Sequence, residues 1–233
     1  MRKKRRGNSG EGRNAVGELP KELRPYYYKR HTLFSKYDQG IQLNHEQWYS
    51  VTPESIARIT AVQLRLRYPD CETVLDAFGG AGGNSIQFAL HLPNKVYHCE
   101  LDPETSRLAT HNAKVYGVKD KIEFINRDFY SLDPNDIKKV DHVFISLPWG
   151  GPSYLKLEYW DLHDHGVFKA VDHARKFSRN ISLFLPKSSK LDQVAELVDN
   201  NDSADVDYMF VRGYCKGICV YIGPDLVHNS YSI

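Results

Sequence analysis

The sequence predicts an α/β fold: a doubly wound, mostly parallel sheet of seven strands that ends in an antiparallel hairpin. Three observations carry this. Short apolar runs alternate with stretches of helical period from residue 72 to 198. Glycines crowd the end of the first run, and no helix separates the last two extended runs. Strands separated by helices cross over and pair in parallel, with helices on both faces. A closing pair without a helix forms a hairpin at one edge.

Each element follows in order. "TPESIARITAVQLRLRYP" is a helix with Thr52 as its cap, Pro53 at the first position and Pro69 as its stop. "ETVLDAF" is a buried strand, "NSIQFALHL" a helix, "KVYHCEL" a strand and "PETSRLATHNAKVYG" a helix. "KIEFIN" and "VDHVFISL" are the next two strands. Helix "GVFKAVDHARKFS", strand "NISLFLP" and helix "SKLDQVAELV" follow. "DVDYMFVRG" and "GICVYIG", joined by "YCK", make the hairpin.

With 41% hydrophobic and 26% charged residues, the 233-residue chain can bury one sizeable core and carry an arm. No apolar run approaches the length of a membrane span and no signal peptide opens the sequence, so a soluble intracellular protein away from membranes is expected. Cys71, Cys99, Cys215 and Cys219 form no CxxC pair and read as reduced, mostly buried thiols. His163 and His165 read as loop polarity, and no metal site is expected.

Charge is distributed unevenly. Residues 1–30 hold ten Lys or Arg against three Glu, a net of +7, which leaves −5 for the rest. Residues 1–24 read as a basic arm, disordered on its own, that serves as a nuclear address, an RNA phosphate contact or a solvated tail. Residues 25–70 combine a helix with a run of aromatic and basic residues, either packed on the domain or stacking bases. Residues 71–226 form the α/β domain, and 227–233 a tail.

Four constellations carry chemistry. In "VLDAFGGAGGNSIQF" a strand ends at Asp76, the glycines 79, 80, 82 and 83 follow, and a helix begins near Asn84. Such a Rossmann-like turn lets a ligand approach the backbone and offers free N–H groups. The glycine spacing is not GxGxxG, and an acid before it suits the cationic methionyl end of S-adenosylmethionine better than a pyrophosphate. Glu100 ends the next strand, where a carboxylate can accept both ribose hydroxyls; Asp128 and Phe129 can bond and flank an adenine.

The fourth is "VFISLPWGGPSY". A polar residue, proline and an aromatic ring after the fourth strand mark transfer of a methyl group to an exocyclic amine of a planar base. That amine's lone pair is delocalised, so the site must accept its hydrogens and clamp the base. Here Ser146 and the backbone around Pro148 would accept, and Trp149 would clamp. Tryptophan is the preferred face for a cation, and a 7-methylguanine ring is one.

These residues, with "LFSKYDQGIQLNHEQWYSVTPESIA", "PWGGPSY" and "FLPKSSKLDQVAEL", resemble the trimethylguanosine synthase family over nearly everything from about residue 25 onward. The resemblance implies a seven-stranded methyltransferase sheet and two successive methyl transfers from S-adenosylmethionine to guanine N2 of a 7-methylguanosine cap. It implies catalytic roles for Ser146, Pro148 and Trp149. Donor binding would fall to Phe34, Thr52, Asp76, Gly80, Gly82, Asn84, Glu100, Asp128 and Phe129. The cap would be held by Trp149, Ser146, Leu147 and Phe34. Capped small nuclear and nucleolar RNAs, proteins of small ribonucleoproteins, a monomeric state and a nuclear, nucleolar location follow from the same resemblance.

Two departures stand out. Leu147 replaces a usual proline and loosens the carbonyl beside it; Gly79 replaces a usual cysteine, a change expected to be mild. The alternatives are an amine methyltransferase for ribosomal RNA or DNA, and a cap-binding scaffold without turnover.

Overall fold

The computed structural model describes residues 19–92 and 95–228. Most of the expected basic arm, residues 1–18, and the tail from 229 lie outside the described residues. Within the stretch expected as arm, Leu19 and Leu23 are buried in the core.

Seven strands form one sheet: β1 (Thr73–Asp76), β2 (Lys95–Glu100), β3 (Ile122–Asn126), β4 (His142–Ile145), β5 (Ile181–Leu185), β6 (Ser203–Val211) and β7 (Tyr214–Gly223). Their order is β3-β2-β1-β4-β5-β7-β6. The first five are parallel, and β7 inserts antiparallel between β5 and β6. This is the predicted architecture. The central strands carry apolar runs because both their faces are covered, and all five residues of β5 are buried.

The helices are α1 (Arg24–Tyr27), α2 (Arg30–Leu33), α3 (Gln47–Ser50), α4 (Glu54–Arg67), α5 (Gly83–His91), α6 (Pro103–Tyr116), α7 (Val167–Ala174) and α8 (Leu191–Glu196). Among the described residues, no helix is long and apolar enough to cross a membrane.

Two local expectations are corrected. Thr52 does not cap α4: the helix starts one residue later, behind Pro53, and the Thr52 hydroxyl instead accepts from Asn84 Nδ2 at 3.0 Å. The hairpin turn is Arg212-Gly213, not "YCK", which lies within β7. Both turn residues have positive φ, +52° and +80°, the two-residue geometry that matches the twist of paired strands.

The N-terminal extension packs on the domain. Leu33, Phe34, Tyr37, Ile41 and Trp48 join the core, and Tyr27 and Tyr37 lie 5.9 and 5.4 Å from the Trp48 ring. Arg67 ties α4 to the far edge of the sheet. Buried, it bonds Gln63, Asp205 at 3.2 Å and Asp207 at 2.9 Å, and sits 4.4 Å above the Tyr221 ring. His163 stacks on Phe168 and His165 on Trp160. Among the described residues, no three His, Cys, Asp or Glu side chains gather as a metal site.

Candidate active site

Parallel strands bring their carboxyl ends to one rim, so Asp76, Glu100 and Ser146 arrive there from β1, β2 and β4. β1 and β4 are neighbours, and Ala77 N–H donates to the Phe144 carbonyl at 2.9 Å. The glycine loop and the "SLPWGG" loop therefore leave the sheet side by side.

The backbone N–H groups of the glycine loop are held by one carbonyl and two side chains. Gly79 N–H donates to the Cys99 carbonyl and Gly80 N–H to Glu100 Oε2, each at 2.9 Å; Ala81 N–H donates to Gln47 Oε1 at 3.0 Å. Gly80 and Gly82 have φ of +53° and +86°, which disfavours any other residue. Gly79 is needed for a different reason: a Cβ there would stand 2.2 Å from His98 ring atoms. In this chain the space that a cysteine side chain would use is filled by the His98 ring.

Asp76 is fully buried. Its Oδ2 accepts from Ser85 Oγ at 2.5 Å, while Oδ1 has no partner. Burial pushes the carboxyl up to about 7 against the pull of Ser85, and the charge of Glu100 adds to the rise. Ser85 Oγ also lies 2.9 Å from His98 Nδ1. With the hydroxyl donating to Asp76, it accepts from a proton on Nδ1. Burial pushes His98 down to about 3, so its ring is neutral at physiological pH.

Asn84 donates to Thr52, and its Oδ1 is likewise buried without a partner. Asp76, bonded to Ser85 of α5, and Asn84 of α5 itself thus each keep one orphaned acceptor. Unpaired buried acceptors are costly, and an ammonium group is a donor of the kind each lacks. Glu100 accepts from Gly80 and from Asp102 N–H at 2.8 Å, leaving lone pairs on each oxygen for hydroxyl donors. The chain's own residues therefore fit the methionyl and ribose ends of S-adenosylmethionine.

The other expected donor-site residues divide. Asp128 is exposed and accepts from Tyr130 N–H at 3.0 Å. Phe129 is enclosed by Phe78, Tyr130, His173 and Phe177, and presents no face to a ligand. Its place is in the core. Phe34 and Thr52 are both brought to the start of α5, and Phe34 is buried 6.1 Å from Tyr116.

Across the rim, Ser146 and Leu147 are half-buried and Pro148 is exposed. Trp149 is half-buried and held on two sides: Nε1 donates to the Phe184 carbonyl at 3.3 Å, and the Phe184 and Tyr154 rings each stand 5.0 Å away. Gly150 and Gly151, with φ of +87° and +67°, turn the chain back, and Tyr49 of the extension packs beside Gly151.

Sequence reasoning missed Gln47, Ser85, His98, Asn112, Tyr49 and Tyr154. Asn112 donates to the Ala81 carbonyl at 3.0 Å and, with Gln47, fastens the extension to the glycine loop. Gln47, Tyr49, Ser85 and Tyr154 lie inside the quoted segments, but nothing in those segments marks them out, and only the folded chain brings all six there.

Fold and site define the class: an S-adenosylmethionine-dependent methyltransferase. Solved structures with this fold include a precorrin-6y C5,15-methyltransferase from Geobacter metallireducens (TM-score 0.56, 17% identity, 80% of this chain and 94% of that one). A SAM-dependent O-methyltransferase from Thermotoga maritima matches at TM-score 0.52 and 13% identity, covering 88% and 71%. At such identities the likeness concerns the fold alone. Sequence comparison goes further. A family model described as RNA cap guanine-N2 methyltransferase matches residues 71–225. The trimethylguanosine synthase of Schizosaccharomyces pombe is 36% identical over 213 residues, 87% of each chain. That of Saccharomyces cerevisiae is 37% identical over 209 residues, 84% of this chain and 66% of its own. The chain belongs to the RNA cap guanine-N2 methyltransferase family.

Proposed function

We propose that this cap methyltransferase converts the 7-methylguanosine cap of small nuclear and nucleolar RNAs to 2,2,7-trimethylguanosine by two successive transfers to guanine N2. It acts as a monomer in the nucleus, where the nucleolus is its main station, with proteins of small ribonucleoproteins as candidate partners. The observation that supports this best is Trp149, fixed by Phe184 and Tyr154 on the rim beside the glycine loop.

S-adenosylmethionine, when bound, supplies a methyl group on a sulfonium cation. The residues of the chain do the rest by placement. Asp76 and Asn84 hold the ammonium end and Glu100 the ribose, while Asp128 accepts from the adenine. Trp149 stacks on the cationic 7-methylguanine, a preference an uncharged guanine does not share. Ser146 and the carbonyls flanking Pro148 accept the two N2 hydrogens and turn the nitrogen toward the methyl group. As the nitrogen takes the methyl group it would release one proton to water, and with the amine aligned no strong base is needed, since bringing the two partners into line lowers the barrier.

Purified protein with labelled S-adenosylmethionine tests this on 7-methyl-GTP and on GTP. The expected result is methylation of the first alone, with a product heavier by two methyl groups. Methylation of both acceptors, or of neither, would contradict the assignment.

A further inference from the structure

We propose that the tip of the β6–β7 hairpin is a stacking platform for the single-stranded nucleotides that follow the cap. The proposal rests on the cap-methylation reading and extends it from the cap to the RNA body.

The placement follows from strand register. The last residue of β5, Leu185, pairs with Ile218 of β7. Everything before Ile218 therefore overhangs the rim on which β4 ends. The paired residues Met209 with Gly217, Phe210 with Cys215 and Val211 with Tyr214 make up this overhang. Four residues at about 3.3 Å each carry the tip roughly 13 Å past the sheet. Trp149 is bonded to Phe184, one residue before the end of β5, so the overhang rises from the same rim.

Its surface has the chemistry of single-stranded RNA recognition. Residues 208–216 contain three aromatics, Arg212, Lys216 and no acid, in a body where acids outnumber bases beyond residue 30. Tyr208 and Phe210, two apart on β6, share one face and are each 54% exposed; Tyr214, 72% exposed, pairs with Val211 and so belongs to the other face. Large rings at an open sheet edge invite aggregation and are normally avoided or covered. Rings alternating with cations suit bases for stacking and phosphates for pairing. The turn points the same way. Among the described residues, Arg212 is the one non-glycine residue with positive φ, at +52°. Glycine or asparagine fits that position with less strain, so a cation is kept at the tip at a cost to the fold.

The test compares binding of 7-methyl-GTP and of a short capped oligoribonucleotide to the full chain. Wild-type protein should bind the oligonucleotide more tightly. Tyr208→Ser combined with Phe210→Ser should weaken oligonucleotide binding by about tenfold or more, the scale of one lost base stack, and leave 7-methyl-GTP affinity unchanged. Arg212→Gly should lower the salt dependence of oligonucleotide binding by about 0.7 in log–log slope, one phosphate contact, without lowering Tm. The proposal is overturned if wild type binds both ligands equally, or if the ring variants lose both affinities in parallel. Unchanged RNA binding in every variant would also overturn it and would point to a protein partner for the exposed rings. If wild type binds no 7-methyl-GTP at all, the cap-site reading fails first and takes the hairpin with it.

Discussion

Gly79→Ala adds one methyl group where the His98 ring already stands. The new Cβ would lie 2.2 Å from Cε1 and Nδ1 and 2.8 Å from Cγ. Neither side can yield cheaply. Gly79 is pinned by its bond to the Cys99 carbonyl, and His98 is fully buried, bonded to Ser85 and packed 5.1 Å from Phe124. Overpacking of a tight core costs about 1–3 kcal/mol, and contact with three ring atoms puts this case at the upper end. Losing the Ser85–His98 bond adds about 1 kcal/mol. A total of about 3–4 kcal/mol should lower Tm by roughly 6–16 °C for a chain of this size. Thermal unfolding checks the single variant, and a double-mutant cycle checks the cause. His98→Ala alone should destabilise by opening a cavity. Added to it, Gly79→Ala should cost far less than in the wild-type background, a favourable coupling of about 2 kcal/mol or more. A Gly79→Ala protein within about 0.5 kcal/mol of wild type, or strictly additive effects, would refute the steric reasoning.

Three further outcomes are expected. Trp149→Ala should weaken 7-methyl-GTP binding by about 1–3 kcal/mol while sparing S-adenosylmethionine; calorimetry showing equal cap affinity would remove the stacking role. Asp76 has a folded pKa raised to about 7 from an ordinary 3.8, so the folded chain holds more protons than the unfolded one between those values. Its contribution to stability is therefore present at low pH and is lost as pH rises through about 7. Asp76→Asn should weaken binding of S-adenosylmethionine and gain Tm over wild type, more at about pH 8 than at about pH 5; a gap that does not grow with pH would count against a strained carboxylate. Leu147→Pro should keep or raise methyl transfer, since the residue's carbonyl is retained; a large fall in kcat would mean that this loop is built differently from its relatives.

Much of this protein is legible without coordinates because the relevant physics is local. Alternation of short apolar runs with helical periods determines a parallel sheet, since each strand must be buried on both faces. The end of β1 at Asp76, the glycines after it and the turn-rich stretch around Trp149 could be placed on one rim from sequence alone, because all parallel strands finish on the same side. Contacts between residues distant in sequence were decided only on folding. Thr52 has the chemistry of a helix cap, yet Asn84 takes its hydroxyl. Phe129 follows a candidate donor-site acid, yet four rings enclose it. Gly79 has nothing in its local sequence to forbid a side chain; it is β2 that lays His98 across it. The overhang of the hairpin depends on which residue of β7 pairs with Leu185, a register that no local pattern states. Periodicity records which side of an element is apolar; what stands against that side is set by packing of the whole chain.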